Sequence, residues 1–107
     1  MLKQNGWTGF PSGGERPVME IALSRSEIEN RYGLKFISGE DSLGRGDSTY
    51  FNDDLLGPVT ILIYEKSPNG MAIVYIDSSV ALRVAVPRLL EVFRLDQSFL
   101  NLPRNLD

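Results

Sequence analysis

The chain has 107 residues, with 11 lysines and arginines against 14 aspartates and glutamates, so its formal net charge is −3. This length fits one domain, and a hydrophobic content of 42% is enough for one modest core. The chain contains no cysteine and no histidine. Their absence excludes disulfides, metals or haem held by these residues, thiol catalysis, and every catalytic arrangement built on serine or cysteine with histidine.

The first 17 residues have the composition of a loop. They contain four of the ten glycines and two of the six prolines, which favours irregular structure. We therefore expect a flexible arm, with Trp7 packed at the edge of the core because a large aromatic ring gains free energy by burial. The alternative is an exposed aromatic contact for a partner. No apolar run has the length of a signal peptide or a membrane span, so we expect a cytoplasmic protein.

A short strand over residues 18–23 and a capped helix are predicted next. Ser24 to Glu27 and Ser26 to Glu29 both match the capping box, in which a serine is followed three residues later by a glutamate. The helix should run through Tyr32 and end at Gly33, because glycine tolerates the left-handed conformation that follows many helices. Residues 34–37 then predict a second strand.

The segment 38–58 is predicted to be a long acidic loop. It is rich in glycine and carboxylates, and only Thr49-Tyr50-Phe51 within it suggests a short strand. Gly57-Pro58 marks its end. Loops of this length tend to be functional or mobile.

A β-hairpin is the strongest prediction in the chain. Residues 59–65 and 71–77 are rich in β-branched and aromatic side chains, and five residues that include Pro68 and Asn69-Gly70 join them. Asparagine and glycine both tolerate the positive φ that hairpin turns require.

Residues 79–86 leave two alternatives. Val80, Leu82, Val84 and Val86 alternate with smaller or polar residues, which favours a strand. The other interpretation is a helix capped by Ser78 or Ser79, which Pro87 should limit because proline interrupts a helix interior. We favour a strand followed by a helix over residues 87–95, since proline suits the first turn of a helix.

The order of elements predicts an α+β fold. A single domain over residues 18–103 should contain an antiparallel β-meander or hairpin sheet packed against two short helices. Residues 104–107 should form a frayed tail.

The net negative charge is concentrated in the predicted loop. Between residues 40 and 54 lie five carboxylates and Arg45, a balance of −4, whereas the rest of the chain has nine acidic and ten basic side chains. The commonest use of such a run is to keep a loop solvated. The functional interpretation is a contact for a basic partner, because a concentrated patch steers association better than scattered charge.

The function that we expect from these residues is the binding of another protein. A small non-catalytic domain, such as an antitoxin or an immunity-type inhibitor, would cover the basic surface of its partner with the acidic loop. Aromatic side chains commonly anchor such interfaces. The predicted contact residues are the five carboxylates and the two adjacent aromatic residues of the segment: Glu40, Asp41, Asp47, Tyr50, Phe51, Asp53 and Asp54.

Two other functions stay open. The first is a homo-oligomeric structural or accessory domain that pairs through an exposed strand edge, for example residues 61–64. The second is a hydrolase in which Glu40 or Asp41 works with Asp53 or Asp54 as acid and base. We predict no catalytic residue and no cofactor. The acidic residues lack the EF-hand spacing, so no metal site is predicted, and a weak Ca²⁺ site among Asp41, Asp47, Asp53 and Asp54 stays open as an alternative. The negative charge disfavours nucleic-acid binding.

Overall fold

A computed structural model describes residues 2, 4, 9–41, 44–65, 71–96 and 100–101. Its elements in chain order are β1 Glu15–Ile21, α1 Arg25–Tyr32, β2 Ile37–Asp41, β3 Gly44–Asp53, β4 Gly57–Tyr64, β5 Ala72–Asp77, α2 Leu82–Phe93 and β6 Leu100–Asn101. The strands form one antiparallel sheet in the order β2-β3-β4-β5-β1-β6. The α+β fold with a sheet and two short helices is therefore confirmed.

The core lies between one face of the sheet and the two helices. Alternate residues of the central strands are buried on this face, whereas the residues between them are only partly buried. The buried set comprises Thr49 and Phe51 of β3, Val59 and Ile61 of β4, and Ala72, Val74 and Ile76 of β5.

Aromatic rings join both helices to this face. The ring of Phe51 meets the ring of Phe93 from α2 edge-on, with centroids 5.9 Å apart, and Phe93 lies 5.3 Å from the ring of Tyr32 from α1. The hydroxyl of Tyr32 donates a hydrogen bond to the carbonyl of Phe93 at 2.8 Å. The opposite face of the sheet is covered by neither helix. We call it the helix-free face.

The capped helix and the β-hairpin are confirmed. Ser24 is the N-cap of α1, and its hydroxyl accepts from the backbone N–H of Glu27 at 3.2 Å while the Glu27 carboxylate accepts from the N–H of Ser24 at 3.0 Å. Gly33 ends the helix at φ 69°. Strands β4 and β5 pair with Val59 opposite Ile76. The residues that connect them, 66–70, lie outside the described part of the chain.

The prediction of a long loop over residues 38–58 is wrong. Most of this segment forms β2 and β3, and β4 already begins at Gly57. Glycine and aspartate are poor strand formers, but β3 pairs with a neighbour on each side and buries Phe51, so tertiary pairing overrides the local preference. The strand predicted over residues 34–37 contributes only its last residue, Ile37, to β2.

The strand favoured within residues 79–86 is also wrong, because α2 begins at Leu82. The residues that α2 buries are Ala85, Val86, Leu89 and Phe93, which share one face of a helix. Pro87 lies inside the helix on its exposed side. None of the described helices is both long enough and apolar enough to cross a membrane.

The first strand starts earlier than the sequence suggested, at Glu15 rather than at residue 18. The prediction about the packing of Trp7 falls outside the described residues, as does the frayed tail at 104–107.

Replacing Ser24 by alanine should lower the free energy of unfolding by about 1 kcal/mol, because one N-terminal N–H of α1 loses its acceptor. Ser26, the serine of the competing capping box, is exposed and makes no cap hydrogen bond in the structure. Ser26→Ala is therefore the matched control and should change stability little. Urea unfolding of the two variants measures the difference, and equal losses would contradict the assigned cap.

Candidate functional site

The structure divides the predicted acidic residues into two groups at opposite ends of β3. Glu40, Asp41 and Asp47 lie in the β2–β3 hairpin, whereas Asp53 and Asp54 lie where β3 turns into β4. Along a strand that rises about 3.4 Å per residue, Asp47 and Asp53 are about 20 Å apart. The carboxylates therefore do not form one patch. The acid–base pairs considered for a hydrolase are not brought together either, since such pairs lie within about 10 Å of each other.

Asp53 stabilises the fold at the C-terminal end of β3. Its carboxylate accepts two hydrogen bonds from Arg88 of α2, with Oδ2 3.0 Å from Nε and Oδ1 2.9 Å from Nη2. The same carboxylate accepts the backbone N–H groups of Leu55 and Leu56, which closes the β3–β4 turn. Burial raises the pKa of Asp53, but the hydrogen bonds from Arg88 and the turn outweigh it and hold the pKa below its usual range.

Asp47 ties the β2–β3 hairpin to α1. Its carboxylate accepts from the hydroxyl of Ser38 at 2.6 Å and lies 3.1 Å from the guanidinium of Arg25. The Ser38 hydrogen bond and the neighbouring Arg25 keep the pKa of Asp47 low. Arg25 also lies 3.6 Å from Glu29 and sits over the ring of Phe36 at 5.7 Å. The charge of Asp47 is thus largely compensated within the protein.

The two aromatic residues of the predicted site point to opposite faces of the sheet. Phe51 has no exposed surface and belongs to the core, so this ring is dropped from the candidate contact. Tyr50 lies on the helix-free face and is partly exposed, as are Leu62, Tyr64, Ile73 and Tyr75 on the strands beside it.

At the end of the β2–β3 hairpin, two carboxylates flank one arginine. Glu40 is exposed and lies opposite Arg45 in the strand register. The N–H of Glu65 donates to the carbonyl of Arg45 at 2.9 Å, which places Glu65 on the other side of the same arginine. Within the described part of the chain, neither Glu40 nor Glu65 forms an ion pair. Asp41 is the last residue of β2.

Glu65 was missed by the sequence analysis because it lies outside residues 38–58. It becomes a neighbour of the hairpin only through the β3–β4 register, which places Gly46 opposite Tyr64. Had residues 44–53 been predicted as a strand paired with β4, Glu65 would have been recognised as a neighbour of the hairpin.

Two facing glycines leave a hollow in the hairpin. Gly39 of β2 lies opposite Gly46 of β3, and a Cβ on Gly46 would come within 2.8 Å of the carbonyl oxygen of Ile63, so this position needs glycine. Gly39 has open space around it. On the helix-free face, a concavity of about 200 Å³ lies over this pair, bordered by the remaining lining residues Glu40, Gly44, Ser48, Leu62 and Tyr64. We call it the glycine trough.

A third cluster, which the sequence analysis did not identify, fastens the N-terminal residues to the sheet. The buried carboxylate of Asp77 accepts from the backbone N–H of Ser12 at 2.9 Å and from its hydroxyl at 2.8 Å. Its other oxygen accepts the N–H and the hydroxyl of Ser79. Hydrogen bonds from Ser79 and Ser12 lower the pKa of Asp77 to about 2. With every oxygen occupied, this cluster is structural.

The described residues contain no group of three or more aspartate or glutamate side chains placed to hold a metal ion. Comparison of the chain with protein-family models, with curated proteins and with solved structures finds no match. The proposal for its function therefore depends on the geometry of the β2–β3 hairpin.

Replacing Asp53 by asparagine should lower the free energy of unfolding by about 2 kcal/mol, because a largely buried charged hydrogen-bond pair is lost. The exposed neighbour provides the control, since Asp54→Asn should stay within about 0.5 kcal/mol of the parent. Combining Asp53→Asn with Arg88→Gln in a double-mutant cycle isolates the coupling, which should reach about 1 kcal/mol. Additive losses would contradict the bidentate pair.

Acid should weaken the fold through Asp77. Because its pKa is lower in the folded than in the unfolded chain, the stabilisation is complete above the ordinary aspartate pKa of 3.8 and is lost as the pH falls towards about 2. Urea unfolding between pH 5 and pH 2 should show a smaller loss of stability for Asp77→Asn than for the parent chain. Parallel curves for the two proteins would show that Asp77 does not contribute.

Proposed function

We propose that the chain is a small, non-catalytic protein-binding domain that contacts a basic partner through the end of the β2–β3 hairpin. The observation that carries this proposal is the excess of carboxylate over guanidinium where Glu40 and Glu65, both exposed, lie on either side of Arg45. One form of such a domain is an antitoxin or immunity-type inhibitor, whose acidic surface covers a cationic active site.

The acidic residues differ in what they can offer to a partner. Asp47 and Asp53 already serve Arg25 and Arg88, so removing either one changes the fold as well as the charge. Glu40 and Asp41 lie on the outermost strand, and Glu65 lies beside them across Arg45. The proposed contact therefore covers residues 37–41 and 44–47 together with Glu65, rather than the whole segment 40–54.

Charge disfavours pairing of two copies through this hairpin. The edge within residues 61–64 that was considered for self-association is not present, because β4 lies between β3 and β5. The outermost strand β2 instead carries Glu40 and Asp41. An antiparallel pair of two β2 strands in a register that sets the two copies of Glu40 opposite each other would be destabilised by like charges. A cationic partner would be attracted by the same charges.

The variant Glu40→Gln/Glu65→Gln tests the proposal, because it removes two charges without touching the ion pairs of Asp47 and Asp53. The immobilised parent chain should capture from native cell extract a basic protein that this variant captures weakly. With that protein purified, the association rate to the parent should fall steeply as salt is added, and the variant should associate at least about tenfold more slowly at low salt.

The matched control is Glu15→Gln/Glu20→Gln, which changes the net charge equally on β1, away from the hairpin. It should capture the same protein as the parent. If the hairpin variant and the control capture the same proteins at the same rates, the hairpin is not the contact and the proposal fails.

A further inference from the structure

We propose that a cavity beside the β2–β3 hairpin, on the face of the sheet that carries the helices, binds one arginine side chain of the basic partner, with Glu65 as its carboxylate. This inference rests on the proposed function and names the residue type that the partner presents. The cavity has a volume of about 390 Å³, and we call it the hairpin cavity. The side chains that line it are Ser38, Arg45, Asp47, Ile63 and Glu65.

The strand register places the hairpin cavity on the helix side of the sheet. Phe51 is buried towards the helices, and residues two apart on a strand share a face. Arg45 and Asp47 therefore lie on the same face as Phe51. The residues opposite these two in the register share that face as well, and they are Ser38, Ile63 and Glu65. The hairpin cavity is thus separate from the glycine trough, which lies on the helix-free face.

Arg45 has a carboxylate on each side, and the register makes the two positions unequal. The carbonyl of Arg45 accepts from the N–H of Glu65, so Arg45 directs its backbone groups to β4 and forms a hydrogen-bonded pair with Glu65. Its pair with Glu40 on β2 is therefore non-hydrogen-bonded. Side chains lie closer in such pairs, whose Cα atoms are about 4.5 Å apart rather than about 5.5 Å. Arg45 is better placed to neutralise Glu40, which leaves the carboxylate of Glu65 to a partner.

The lining of the hairpin cavity offers acceptors for a guanidinium group and an apolar wall for its stem. Within the described residues, the exposed carboxylate of Glu65 accepts no hydrogen bond and forms no ion pair. Both of its oxygens can therefore receive the two parallel N–H groups of an arginine. Ile63 is apolar and partly buried, and it provides the surface on which the methylene groups of a long cationic side chain pack.

The charges at the cavity favour a cation over the other side chains. Three carboxylates and two guanidinium groups lie in the lining or directly beside it, which leaves a balance of −1: Glu40, Asp47 and Glu65 against Arg25 and Arg45. An acidic side chain would meet two carboxylates in the lining. Lysine ends in a compact ammonium group that cannot form the bidentate contact, so arginine fits the carboxylate of Glu65 better.

The first test titrates the ¹⁵N-labelled chain with the peptide acetyl-Gly-Ser-Arg-Ser-Gly-amide and follows the amide shifts of Ile63 and Glu65 by NMR. Three control peptides replace the arginine by lysine, by the uncharged isostere citrulline, or by a guanidino side chain two methylene groups shorter. Citrulline should bind at least about tenfold more weakly than arginine, and lysine about threefold more weakly. The shortened side chain should lose about fivefold, because it gives up the contact with Ile63.

Equal affinity for arginine and citrulline would overturn the cavity as a cation site. Equal affinity for arginine and lysine would overturn the bidentate contact, and with it the assignment of arginine.

The second test identifies the carboxylate in an Arg45→Gln background. Arg45→Gln alone should strengthen binding of the arginine peptide about threefold, because the lining loses its competing cation. In this background Glu65→Gln should weaken binding at least about tenfold. The matched control is Glu40→Gln, which removes the same charge from β2 outside the lining and should change the affinity less than about threefold. All three side chains are exposed, so the variants keep the fold.

Equal effects of Glu40→Gln and Glu65→Gln in this background would contradict the role of Glu65 and indicate attraction by the overall charge of the hairpin.

The outcomes separate this inference from the proposed function. If Glu40→Gln/Glu65→Gln captures the basic partner weakly, but the arginine peptide binds Glu65→Gln as well as it binds the parent chain, the cavity is not the arginine site and charge-based binding stands. If that double variant and its control capture the same proteins at the same rates, the proposed function fails, and with it the assignment of the arginine to that partner.

Discussion

The packing of Phe51 against Phe93 decides which way every side chain of β3 points. Because strand residues alternate between faces, burying Phe51 towards the helices also turns Asp47, Thr49 and Asp53 towards them. The ion pairs of Asp47 with Arg25 and of Asp53 with Arg88 both depend on this orientation of β3. A slip of one residue in the register would bury Tyr50 and expose the aspartates on the helix-free face. The aromatic contact and the two ion pairs therefore specify the same register.

The ion pairs change which carboxylates remain available to a partner. Five carboxylates within 15 residues suggest one acidic patch, but Arg25 and Arg88 each neutralise one of them at the helix side of the sheet. These arginines belong to parts of the chain that are nearly neutral overall, and only the fold brings them to β3. The charge left for a partner is smaller and lies at the far end of the hairpin, where Glu65 joins it.

The sequence predicted correctly the structures that depend on residues close together in the chain. The errors concern segments whose structure depends on pairing or packing with distant residues. The capping box at Ser24 and the left-handed Gly33 act within one helix, and the β4–β5 hairpin joins neighbours in sequence, so each can be recognised from the chain alone. Strand β3 contains three poor strand formers in its first four residues, and it exists because β2 and β4 flank it. The apolar residues of segment 79–86 fit both a strand and a helix. The segment is helical from Leu82 because α2 as a whole buries Leu89 and Phe93 on one face. The neutralisation of Asp47 and Asp53 depends on this tertiary structure and was for that reason not predictable.

Charge at the edge of the sheet serves two requirements at once. An edge strand with unpaired backbone groups tends to pair with its own copies, and like charges on it oppose that pairing. The same charges do not oppose a cationic strand. Gly39 and Gly46 leave a concavity beside Tyr64 on the helix-free face, whereas Glu40 shares the opposite face with Arg45. Backbone pairing would supply affinity that any extended chain shares, so the charge on the edge is the feature that discriminates against a second copy.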